Sequence, residues 1–137
     1  MYKGESSMYQ IVRNRVVEDL EIDDNGKKLN IHVDFNVDSM LHRYLQAAGK
    51  LSKAQADLKN GDSTEQKVEA LGEAILNIFS VIFGDAQTKQ IVEFYDGAYM
   101  EMLAEVAPFI SDVVAPKIQE AQQRIMSNYQ SAKRFGR

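Results

Sequence analysis

From Leu71 to Phe83 the only polar side chains are Glu73, Asn77 and Ser80. They recur at helical spacing and share one narrow stripe with Gly84. The pattern predicts a helix buried over most of its circumference. It stops at Phe83-Gly84-Asp85, and an amphipathic segment with Ala86, Ile91, Val92, Phe94 and Tyr95 begins at once. Asp85 is placed to cap that segment, and Asp96-Gly97 ends it.

Upstream, the period changes from helical to alternating. Leu29, Ile31, Val33 and Phe35 alternate with Lys28, Asn30, His32 and Asp34, and a looser alternation covers residues 15–22. Asp23-Asp24-Asn25-Gly26-Lys27 lies between the two, and Asn-Gly supplies the positive φ angles of a tight hairpin. A hairpin is marginal alone, so its apolar face must rest on helices or its sheet must be extended by another chain. The first helix is expected to open at Asp38 or Ser39 and to carry Met40, Leu41, Tyr44, Leu45, Ala48, Leu51 and Leu58 on one stripe. Its second half, with a thin apolar face, is expected to project. Asn60-Gly61-Asp62 ends it, and Ser63 with Gln66 forms a capping box for the next helix.

From Ala98 onward the apolar pattern broadens. Tyr99, Met100, Met102, Leu103, Val106, Ala107, Phe109, Ile110, Val113 and Val114 cover about half of a helix's circumference at 100° per residue. Glu101, Glu105 and Asp112 share the opposite face. Pro108 and Pro116 are expected to kink or restart this helix. Three uses of the broad stripe remain open: burial within the fold, a homo-oligomer interface, or a face for an apolar partner segment. The candidate partner-binding residues are Tyr99, Met102, Val106, Phe109 and Val113.

These elements predict a mainly α fold with a small N-terminal β-hairpin (α+β), a compact bundle of about four helices. All 137 residues form one domain, with a frayed N-terminus at 1–10, the hairpin at 15–35, a helical region at 38–132 and a basic tail at 133–137. The net charge of −4 is unevenly spread. Residues 61–116 carry Lys67 and Lys89 against ten acids, whereas residues 117–137 carry five basic side chains against Glu120. The acidic middle discourages nucleic acid and lets the basic end of one copy approach the body of another. The absence of cysteine excludes disulfides and thiol chemistry. The N-terminal residues contain no apolar signal region, and no run of 18 apolar residues spans a membrane. A cytoplasmic location is expected.

Candidate chemistry is sparse. His32 and His42 lack the spacing that brings two imidazoles onto one metal. Glu101 and Glu105 lie one turn apart, but a solvated face explains them better than a cation. Asp23-Asp24-Asn25-Gly26 resembles the start of a calcium loop but has Asp34 where the distal glutamate would stand, and a turn accounts for it. No glycine-rich phosphate loop and no nucleophile elbow occurs. No enzyme activity, cofactor or metal is expected.

The stretch Ile78-Phe79-Ser80-Val81-Ile82-Phe83-Gly84-Asp85-Ala86-Gln87-Thr88-Lys89-Gln90-Ile91 resembles the tail assembly chaperones of long-tailed bacteriophages and prophages of Gram-positive bacteria. The likeness extends over residues 28–137. It includes the strand end Val33-Asp34-Phe35, the apolar helix closed by Phe-Gly and an acid, and the basic tail. The two prolines of the last helical region depart from it. The resemblance implies a non-enzymatic protein that coats the apolar, coiled-coil-rich tape measure protein in many copies and is displaced by tail tube subunits. The alternative is a small homodimeric regulatory or adaptor protein that uses the apolar face of residues 99–114.

Overall fold

The computed structural model describes residues 8–13, 15–61 and 64–135. Residues 8–13 have no regular secondary structure. Strand β1 (Arg15–Asp24) and strand β2 (Lys27–Asn36) form a two-stranded antiparallel sheet, in register from Asp24↔Lys27 to Arg15↔Asn36. Asn25 and Gly26 both have positive φ (52° and 93°), the turn that matches strand twist. The Asp23 carboxylate accepts the Gly26 N–H at 2.7 Å and so ties the turn together.

Helices α1 (Val37–Lys59), α2 (Glu65–Phe83), α3 (Asp85–Phe94), α4 (Tyr99–Phe109) and α5 (Ala115–Phe135) follow. A π-helical turn at Ile110–Val114 joins α4 to α5, so the four helical rods are α1, α2, α3 and the continuous α4–α5. The molecule is mainly α with an N-terminal hairpin. Helix α2 lies at the centre and packs against α1, β2, α3 and α4. Its buried residues are Leu71, Gly72, Ala74, Ile75, Ile78, Phe79, Ile82 and Phe83, while Glu73 and Asn77 face out as their stripe requires. Val16, Ile31 and Val33 bring the sheet into the core, and Met102, Val106, Val114 and Ile118 bring in the last rod, whose α5 packs against α1 and β1.

Several boundaries differ from expectation for local reasons. Helix α1 is capped by Asn36, not by Asp38 or Ser39. The Asn36 side chain accepts the Ser39 N–H at 3.1 Å and the helix starts at Val37. The second half of α1 does not project, because Ala54 is small enough to bring it against α2 and becomes buried there. Thr64 caps α2 by accepting the Lys67 N–H at 3.2 Å, and Ser63 of the expected capping box lies outside the described residues. Asp85 makes no capping hydrogen bond at α3. There the Thr88 hydroxyl donates to the Gly84 carbonyl at 2.8 Å.

The two prolines do not break the last rod. Pro108 lies inside α4, and Pro116 is the second residue of α5. Between them the Ala115 N–H reaches back five residues to the Ile110 carbonyl, which widens the turn. Lys133, Arg134 and Phe135, expected in a basic tail beyond the helical region, are the last residues of α5.

Candidate protein-binding surface

Among the described residues no three His, Asp or Glu side chains converge on a metal-sized site. His32 instead pairs with Asp19 across the hairpin, its Nδ1 lying 2.8 Å from Oδ1. That hydrogen bond holds the imidazole pKa above its usual value. No helix of the described chain is long and apolar enough to cross a membrane.

The most apolar concavity is a groove of ≈ 510 Å³ between the C-terminal half of α1 and the start of α4. Its walls are Ala56 and Leu58 from α1, Leu71 from α2, and Met100 and Leu103 from α4, with Ser52, Gln55 and Lys59 on the rim. The arrangement follows from the helix packing. Leu71 and Leu103 plug the floor at 2% and 8% exposure, whereas Met100 stands 56% exposed on the lip. Tyr99 lies beside it with its ring 3.4 Å from where a side chain on Gly72 would begin. Glycine at 72 therefore lets the aromatic ring rest on α2. Val68, one turn before Leu71 and Gly72 on that face, is 51% exposed. A flexible methionine on an apolar lip with a polar rim suits a partner helix better than a small polar ligand.

Two other concavities carry charged walls. One of ≈ 370 Å³ lies between α1 and α2 with Lys50, Lys53, Asp57 and Glu73 on its walls. Another, at the turn end of the hairpin, gathers Asp23, Asp24, Asp96, Glu101 and Glu105. Within it the Tyr95 hydroxyl donates to Glu105 at 2.7 Å. Burial first, and then that carboxylate, push the phenol far above its ordinary value.

The five residues expected to contact a partner do not share one surface. Met102 and Val106 are 0% and 1% exposed, so they belong to the core and have no surface to offer. The broad stripe is used mainly inside the subunit because α4 packs against both α2 and α3. Tyr99 is exposed beside the groove. Phe109 is half-buried and stacks on Phe83, with ring centroids 6.2 Å apart and planes 19° from parallel. Val113 is half-buried on the π-helical turn, about 20 Å of helix axis from Tyr99. The groove adds Leu58, Leu71, Met100 and Leu103. Their apolar periodicity was legible, but the groove brings together the end of α1 and the start of α4, some forty positions apart.

A family model described as "Phi812 tail tube protein" matches residues 34–109, more than half of the chain. The match runs from the end of β2 through α4 and includes every residue lining the groove. It agrees with the resemblance noted above at the level of the phage tail, and it names a different tail component. No curated protein and no solved structure matches the chain.

Proposed function

The chain belongs to the Phi812 tail tube protein family, and from that premise we propose that it acts in phage tail morphogenesis by binding another polypeptide, without catalysis. Its specific role is that of a tail assembly chaperone, which shields apolar helical segments of the tape measure protein in the bacterial cytoplasm. The observation that carries this reading is the open apolar groove of Leu58, Leu71, Met100 and Leu103, flanked by exposed Tyr99 and Val68. A groove with a methionine lip accepts varied apolar side chains and releases them readily, as a coat that must later leave requires. The motif from Ile78 to Ile91 adds the resemblance to chaperones of this kind.

Co-expression with a helical tape measure segment tests the reading. Met100→Glu places a charge on the lip of the groove without touching the core, since Met100 is exposed. The variant should remain folded and lose co-solubilisation of the segment. Undiminished co-solubilisation would remove the groove from the account.

A second reading has an observation of its own. The description of the matching family favours a structural subunit of the tail tube. Purified tails separate the two roles. A tube subunit remains in the finished particle in many copies, whereas a chaperone is absent from it.

A further inference from the structure

The sheet has two unlike edges. On β2, the Gln87 side chain accepts the His32 N–H at 2.9 Å and donates to the His32 carbonyl at 2.7 Å. The same amide donates to the Phe83 carbonyl at 2.9 Å, which ties that edge to the α2–α3 junction. Because the His32 backbone points outward, its partner Asp19 is also a non-hydrogen-bonded position of the ladder. The alternation then directs the backbone N–H and C=O groups of Arg15, Val17, Asp19, Glu21 and Asp23 to the outer edge of β1. No backbone group among the described residues pairs with them; helix α5 packs beside the first part of β1, where Lys117 binds Glu18, so the open stretch is Asp19 to Asp23. Burial tells the same story. In the middle of the sheet Ile31 and Val33 on the inner face of β2 are 1% exposed, whereas Leu20 opposite Ile31 is only half-buried, as is Ile22 nearer the turn; Val16, beside α5, is 2% exposed. The core cover thins at the Leu20–Ile22 stretch of β1.

Directly ahead of β1 the chain offers material that fits such an edge. Met8, Tyr9, Ile11 and Val12 are 84%, 88%, 76% and 77% exposed. Four large apolar side chains in six residues, each more than three-quarters exposed, form a segment that gains by joining a sheet. The charges select the occupant. Asp19, Glu21 and Asp23 line the outer face of β1, Asp19 bonded to His32 and Glu21 3.2 Å from Lys28 on β2, and two β1 edges brought together would set these acids side by side, the usual guard against indiscriminate edge pairing. A segment with Arg13 at its end carries the complementary sign.

We propose that residues 8–13 of one copy add as a strand to the open edge of β1 in a second copy, covering Leu20 and Ile22. The contact is heterologous. Each copy that donates its arm keeps its own edge free, so the interaction propagates from copy to copy until a ring closes or a filament grows. Nothing in this inference depends on which polypeptide the groove receives.

Two full-length variants test it by sedimentation velocity and light scattering across a concentration series. Ile11→Asp/Val12→Asp places acids on exposed arm positions, where folding is spared and the acidic edge repels them. Glu21→Pro removes an outward N–H that the hairpin does not use, at an edge position that tolerates proline. The unaltered chain should form concentration-dependent oligomers, and each variant alone should be monomeric with an unchanged far-ultraviolet spectrum. Mixed, the edge-blocked copy still has an arm and the arm-altered copy still has an edge, so the two should form a one-to-one complex that grows no further. A monomeric unaltered chain, an arm variant that associates as before, or two folded variants that ignore each other would each overturn the proposal.

Discussion

Gly84 joins α2 to α3 with φ 83° and ψ 160°, a region of backbone space that is essentially reserved for glycine. A Cβ built there meets nothing within 4 Å. The cost of Gly84→Ala is therefore backbone strain without a clash, about 1–3 kcal/mol. It is partly offset by about 0.4–1 kcal/mol because alanine restricts the unfolded chain. The net expectation is a loss of roughly 1–2 kcal/mol. Gly49 supplies the internal control. It lies within α1, and a Cβ there also meets nothing within 4 Å, so Gly49→Ala should gain up to about 1 kcal/mol from helix propensity. The same chemical change thus has opposite signs at two open positions. With urea slopes of about 1–3 kcal/mol per molar, the two midpoints should fall on either side of the unaltered protein, separated by roughly 1–2 M. Hydrogen exchange at His32 adds a local readout, because its N–H is held by Gln87 just beyond the strained junction. A Gly84→Ala midpoint equal to or above that of the unaltered chain would refute the strain argument.

Three further outcomes are expected. Phe79→Ala empties a fully buried site where the ring meets Phe83 edge-on, with centroids 5.4 Å apart; chemical denaturation should show a loss of about 3–5 kcal/mol. Asn36→Ala removes the acceptor for the Ser39 N–H and should cost about 1 kcal/mol in the same assay. The Asp19 hydrogen bond raises the His32 pKa in the folded state, so its small stabilising contribution is complete below the ordinary value near 6.5 and is lost as pH rises through the raised value. Titration of the imidazole by NMR should show that raised value, and Asp19→Asn should bring it back toward the ordinary one.

The elements legible in the sequence were those decided by local rules. Asn25-Gly26 fixed the hairpin, the Glu73–Asn77 stripe fixed the orientation of α2, and Phe83-Gly84 fixed its end. The caps were less secure, because Asn36, Asp38 and Ser39 all offer capping oxygens and tertiary placement of β2 selects the first. The partner surface was the least legible. A hydrophobic stripe states that a face will be covered, but it does not state by what. Met102 and Val106 face α2 and α3 within the same chain. Tyr99 and Met100, only one helical turn earlier, extend past the end of that cover. The end of α1 was expected to stand away from the body, which left Leu58 without a neighbour and the groove without its second wall.

The wide turn between the prolines has a consequence for how the last rod holds its line. Val106, Ile110, Val114 and Ile118 are all buried, at 1%, 8%, 0% and 3% exposure, and each is four residues from the next. In an ordinary α-helix a row with that step precesses by about 40° each time, roughly 120° from first to last, and would spiral away from a flat neighbour. Fitting more residues into one turn at 110–114 takes back part of that precession. The π-helical segment thus works as a vernier: it resets the phase of α5 against α4 so that one row of branched side chains stays buried from α4 into α5.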